Sequence, residues 1–303
     1  MRILLCLIAA AVLIAATGSA CAVEKLPPGE ALLRDAYRRN LDGLASNSFG
    51  LPLVLESVAQ EDSVQVDVYG IFESPFGSVV NVLKVPANWC DIVSLPPNVK
   101  ACTYREMPGA WLLTFYLGRK SYQPPEDAHQ VIYYYRNVVQ RQGYLDIVLS
   151  ADAGPFGTKD HKLSFEALPL DGGRTFVHVR YAYRDTAALR LAANGYFATL
   201  GRGKVGFTVT GTDRSGQLVY IGGPRGALER NAVRYYLAIQ AFMSTLSYPA
   251  EHRFTMRIRE WYDLAGRYPL QLFDLDRQDY LTFKTAEHQN QVTLQRSLGT
   301  GLQ

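Results

Sequence analysis

The chain lacks most of the features by which a sequence announces a chemistry. Its 303 residues include five histidines, at positions 129, 161, 178, 252 and 288, without the close spacing of a zinc or iron ligand set, so neither a metal nor another cofactor is implied. It has no G-x-S-x-G elbow, no P-loop and no H-E-x-x-H pair. Charge of one sign is also missing: a formal net charge of +3 gives no reason to expect nucleic acid or a strongly anionic surface as a partner. Apart from the N-terminus, no apolar run approaches the roughly 20 residues needed to cross a bilayer. No internal repeat is evident.

Two partial motifs fall short. Gly201, Gly203 and Gly206 spell G-x-G-x-x-G, but the pattern runs into Phe207-Thr208-Val209-Thr210, which reads as strand where a dinucleotide site needs a helix. It reads as a turn. Asp274, Asp276 and Asp279 suggest a calcium loop without its glycine and terminal glutamate, and read as a solvated helix start.

The N-terminal residues MRILLCLIAAAVLIAATGSACAVEK carry one charge, Arg2, then an apolar run from Ile3 to Ala16 and small residues around Ala20-Cys21-Ala22. That is a secretory leader pattern. Cleavage after Ala22 leaves a chain exported to the periplasm with a formal charge of +2. The alternative is a lipoprotein anchored through Cys21, since Gly18-Ser19-Ala20-Cys21 resembles a lipobox. Of four cysteines only Cys90 and Cys102 then remain as free thiols, and an even pair in an exported chain predicts a disulfide.

What is abundant is apolar periodicity. Pro28 to Leu44 reads as helix, placing Leu32, Leu33, Ala36, Tyr37, Leu41 and Leu44 together. Val64, Val66, Val68 and Phe72 then alternate as a strand, followed by Ser74-Pro75 as a helix start and two short helices separated by Pro86. Strand-like runs follow at 99–104, 111–119, 131–139, 144–151, 162–168, 175–184, 204–210 and 217–221, with turn chemistry at Pro108-Gly109, Asp171-Gly172-Gly173 and Asp213 to Gly216. The segment 189–200 reads as either a short helix or an irregular strand. From Gly222 to Leu246 the period returns to 3.6: Leu228, Ala232, Tyr235, Tyr236, Ile239, Phe242, Met243 and Leu246 share a wide apolar face, with Pro224 opening the helix. Further helices are predicted from Phe254 to Gly266 and from Pro269 to Phe283.

A strand, a helix pair (VDVYGIFESPFGSVVNVLKVPANWCDI), a strand meander and a terminal helix (GGPRGALERNAVRYYLAIQAFM) resemble the START and polyketide-cyclase-like helix-grip superfamily over about Asp62 to Leu246. The resemblance implies an α+β fold in which a curved antiparallel sheet wraps a long C-terminal helix, with N-terminal and C-terminal helical extensions. The implied division is a leader at 1–22, a helical segment at 23–50, a START-like domain at 51–247, a helical extension at 248–286 and a disordered polar tail at 287–303.

The resemblance also implies a cavity for a lipid or another apolar small molecule, and nineteen tyrosines and thirteen phenylalanines can line one. Strand parity and the helix face nominate Trp111, Phe115, Tyr135, Arg136, Tyr181, Tyr183, Phe207, Tyr236 and Met243 as its ligand-binding wall. No residue is nominated as catalytic. Arg136, between Tyr134 and Val138, is the candidate inward charge; His178 and Arg180 are placed on the solvent side of their strand. A carrier of an apolar molecule, with transient membrane contact, is the leading reading. The alternatives are an enzyme of the cyclase or hydrolase type acting in the same cavity, with His178, Tyr133, Tyr135 and Tyr236 to be tested first, and an envelope interaction module without a cavity.

Overall fold

A computed structural model describes residues 28–300 apart from 61, 142 and most of 187–202; the leader, the lipobox and the greater part of the ambiguous segment at 189–200 lie outside the described residues. Two short helices, α1 (Pro28–Arg39) and α2 (Leu41–Ala45), precede strands β1 (Leu53–Ala59) and β2 (Ser63–Phe72). Helices α3 (Phe76–Leu83) and α4 (Pro86–Val93) follow, then β3 (Val99–Met107), β4 (Ala110–Leu117), β5 (His129–Arg141), β6 (Tyr144–Ala153), β7 (Lys159–Leu170) and β8 (Arg174–Arg184). A small hairpin, β9 (Val209–Thr212) and β10 (Leu218–Tyr220), leads into the long helix α5 (Gly223–Ser244), then α6 (Ala250–Gly266), α7 (Pro269–Leu272) and α8 (Arg277–Thr300).

Strands β1 to β8 form one sheet, in the order β1-β2-β8-β7-β6-β5-β4-β3, in which every neighbouring pair is antiparallel. The alternation read from the sequence sets its faces. Val64, Val66, Val68, Ile147, Leu149, Leu163, Phe165, Val177 and Val179 point inward and join the core of α3, α4 and α5. Helix α5 packs against β1, β2, β8 and α4, so the sheet grips it. Its close approach is visible at Gly70, where an added Cβ would lie 2.0 Å from the Tyr236 hydroxyl. This is the α+β helix-grip architecture.

Three expectations need correction. The runs at 204–210 and 217–221 do not join the main sheet; they contribute the separate β9–β10 hairpin, whose β9 residues are exposed and offer the core no apolar face. Ser74 is not the cap of α3, because Pro75 is the N-cap and the helix starts at Phe76. The charged side of α5 is buried as well: Glu229 and Arg230 lie under residues 205–208, and Arg234 is paired with Asp274 (2.7 Å) beside Trp261 of α6. Residues 287–300 of the tail are helical and not disordered: α8 runs through to Thr300 and buries Glu287 and Gln291 against β3. Edge strand β1 is an addition.

The G-x-G-x-x-G stretch has a packing role. A Cβ at Gly206 would lie 2.5 Å from Glu229 Oε2 and 2.8 Å from the Gly226 Cα, so only glycine lets this connection lie against α5. Glu229, fully buried, accepts hydrogen bonds there from the backbone N–H groups of Phe207 (2.6 Å) and Thr208 (2.9 Å), from the Thr208 hydroxyl and from Ser57 of β1. Cys90 of α4 and Cys102 of β3 are joined as a disulfide, with Cα atoms 4.9 Å apart. No helix of the described residues is long and apolar enough to cross a membrane.

Candidate functional site

The apolar interior is filled through its middle and open at one end. Between the β4–β5 connection, the β6–β7 turn and the first half of α5 lies a pocket of about 760 Å³. Its deeper wall is Tyr133, His161, Tyr181, Tyr183 and Tyr235, and its rim includes Arg119, Asp127, His129 and Asn231. Strand parity explains the wall: Tyr181 and Tyr183 continue the inward set of β8, and His161 continues that of Leu163 and Phe165 on β7.

His161 is wired rather than available. Thr158 donates its hydroxyl to the Pro155 carbonyl (2.7 Å), so Nε2 of His161 donates to Thr158 Oγ1 (2.7 Å) and Nδ1 accepts from the Tyr181 hydroxyl (3.2 Å). Burial disfavours the imidazolium and pushes the pKa down to about 4, so the ring is neutral near pH 7. Burial raises the pKa of all four tyrosines, that of Tyr235 to about 12, so none ionises near neutrality. The rings form one aromatic lining: His161 stacks on Tyr183 at 5.3 Å, and Tyr235 meets Tyr181 edge-on at 6.0 Å. At the rim, Phe156 adopts a φ of 58° in the β6–β7 turn and stands 89% exposed.

The nominated residues divide. Tyr181 and Tyr183 line this pocket. Trp111, Tyr135 and Arg136 line a second depression, about 660 Å³, by the β3–β4 hairpin and the α3–α4 junction. Phe115, Tyr236 and Met243 are buried in the packed core, Phe115 against Tyr133 and Tyr236 against Phe72. Phe207 packs on Phe49 and Tyr268 instead of on the cavity wall, because its connection passes β1. Arg136 is exposed: Tyr133 and Tyr135 take the inward positions of β5, and parity sends Arg136 outward. Of the residues the pocket uses, His161 and Tyr235 were not nominated, although the alternation of His161, Leu163 and Phe165 carries the signal for the first.

His178 also departs from expectation. It lies on the outer face of β8, as parity requires, yet is buried under α1. Its Nε2 bonds Asp67 Oδ1 at 2.7 Å and its Nδ1 bonds Glu166 Oε2 at 2.8 Å. Burial opposes the charge, but the two carboxylates outweigh it and raise the pKa, so the ring is an imidazolium locked between them. Arg180 adds a bond to Asp67 (2.7 Å) and Tyr144 one to Glu166. Both ring nitrogens are consumed, so this group holds β2, β8 and β7 together and is not placed to transfer protons. Among the described residues no group of His, Cys, Asp or Glu side chains is disposed to hold a metal ion.

No family model matches the chain, and no curated protein does. Solved structures are similar at low identity. A START superfamily protein from Mycobacterium smegmatis is 12% identical, over 46% of this chain and 92% of that one, with a TM-score of 0.31. Human StAR-related lipid transfer protein 5 is 7% identical over 56% and 88%, with a TM-score of 0.31. The Zhui aromatase/cyclase from a Streptomyces species is 12% identical over 68% and 94%, with a TM-score of 0.30. Overlays this loose add no weight to the assignment. The element order and the gripped helix carry it. The fold is START-like.

Proposed function

We propose that this START-like chain binds an uncharged, largely apolar small molecule or lipid in the pocket at the head of α5, and that it carries the molecule without transforming it. The observation that supports this most directly is the tyrosine-lined pocket around a neutral His161 whose two nitrogens are already bonded. A catalytic acid or base needs a free valence at an atom that ionises near the working pH, and the deeper wall presents none. A ligand burying about 300 Å² of apolar surface there gains roughly 7 kcal/mol before association costs, enough for useful affinity with few polar contacts. The Tyr235 hydroxyl makes no hydrogen bond among the described residues and supplies one donor for an oxygen of the ligand. The leader pattern makes the periplasm the proposed setting, with an anchor through Cys21 as the alternative.

Asn231 faces the pocket one turn before Tyr235, so Asn231→Trp fills the space at the cost of the 3.5 Å contact that Arg234 makes with the Asn231 Oδ1. Native mass spectrometry of the protein purified from its own envelope fraction is expected to show an apolar adduct that this variant lacks, and that Tyr235→Phe retains with affinity weakened about fivefold, the worth of one hydrogen bond. An adduct retained unchanged by Asn231→Trp places the ligand elsewhere and sinks the reading.

A further inference from the structure

β3 is the terminal strand on one side of the eight-stranded sheet, and a terminal strand presents a row of unpaired backbone groups. Here that row is met by side chains of α8. Gln291 Oε1 accepts from the Cys102 N–H (2.8 Å); Gln295 accepts from the Tyr104 N–H through Oε1 (2.9 Å) and donates to the Tyr104 carbonyl through Nε2 (3.0 Å). Lys284 Nζ donates to the Val99 carbonyl at 2.7 Å. The primary amide of Gln295 therefore pairs with the Tyr104 peptide as the peptide of a neighbouring strand would. Residues 284, 291 and 295 are seven and four apart, one stripe of the helix laid along the strand. Between them Glu287 bonds both Lys100 (2.8 Å) and Lys284 (2.6 Å), all three side chains being buried.

We propose that α8 occupies the place of a ninth strand as a guard, and that the edge it covers fits β3 of a second copy of this chain. Beyond the register shift between Val99 and Ala101, the outward backbone groups lie on even-numbered residues, Cys102 and Tyr104. Two copies paired antiparallel about Thr103 bring Cys102 opposite Tyr104, the geometry in which two edge residues exchange both N–H···O bonds. Counted through the shift at Lys100, the same register brings Lys100 of one copy toward the exposed Glu106 of the other, twice over, offering Lys100 a carboxylate in place of Glu287. A second copy thus answers both the hydrogen bonds and the charge that α8 now answers.

The test uses the full chain carrying Gln291→Ala and Gln295→Ala, which removes three of these bonds and leaves helix propensity intact. Amide exchange at Cys102 and Tyr104 is expected to accelerate about tenfold or more. Light scattering on an eluting peak should show a concentration-dependent dimer. Adding Tyr104→Pro, which deletes an outward N–H that β4 does not use, should return the variant to monomer. A chain that remains monomeric once these amides exchange freely overturns the proposal. So does unchanged protection of the two amides, or a dimer that persists with Tyr104→Pro. If the alanine pair prevents folding, Gln295→Lys alone, which faces the Tyr104 N–H with a donor, is read by the same three outcomes.

Discussion

His178 shows how one side chain can order three strands. An imidazolium between Asp67 and Glu166 closes a charge-compensated contact across β2, β8 and β7 beneath α1, where an isolated charge would be costly. Its folded pKa is raised above the ordinary 6.5, so its contribution to stability is fully present below pH 6.5 and is lost as pH rises through the folded value. Asp67 and Glu166 are held below their ordinary 3.8 and 4.5; although burial alone would raise them, the bonds to His178 prevail. Their contribution is present above those values and lost as pH falls through the depressed ones. The cluster therefore stabilises most between pH 4.5 and 6.5. Replacing His178 by Gln leaves two buried carboxylates short of a cation, and is expected to cost about 3 kcal/mol in urea unfolding within that window. The deficit should shrink at alkaline pH; a deficit that does not vary with pH would mean the ring acts only by packing. Parity alone placed His178 outside, but that α1 would cover it was not legible, because no local pattern says where a helix docks.

The same limit operates on whole elements. Strands β2 and β5 to β8 were legible because each keeps a period of two against a single core, and α5 because its apolar positions keep one of 3.6. The second half of α8 was not, since EHQNQVTLQRSLGT has almost no apolar stripe. Its partner is a strand edge, which calls for amides and charges in place of leucines. Within that contact Glu287 neutralises one of two buried lysines, and burial pushes the pKa of Lys284 down to about 8 despite the bonded carboxylate. Glu287→Gln strands two ammonium groups in the interior. It is expected to lower stability by about 3 to 5 kcal/mol at pH 7, with partial recovery toward pH 10 as Lys284 gives up its proton; calorimetry across that range would show it. A loss under about 1 kcal/mol would mean that α8 yields and lets water in. For the candidate site, strand alternation reached Tyr181 and Tyr183. It could not foresee which end of the interior stays open, since that depends on where Phe115 and Tyr236 pack across the sheet.

At the scale of the molecule, the disulfide joins two regions that the chain reaches by separate routes. Cys90 lies on α4 over the core, and Cys102 lies on the strand whose outer edge α8 covers, so the bridge ties β3 to α4 beside the α8 residues His288, Gln291 and Gln295. With a sequence separation of 12, closing the loop restricts the unfolded chain by about 3 kcal/mol in the chain-entropy picture. For a domain of this size, that corresponds to a fall in Tm of roughly 6 to 12 °C on replacing both cysteines by alanine. Both sulfurs are buried, so a brief exposure of the folded protein to reductant should leave Tm where it was, whereas reduction during unfolding should reproduce the alanine variant. The bridge also bears on the guard helix. If β3 is held mainly by Cys102, the double alanine variant should accelerate amide exchange at Tyr104 and along α8 together; if α8 holds the strand unaided, exchange there should stay as slow as in the oxidised protein while Tm still falls.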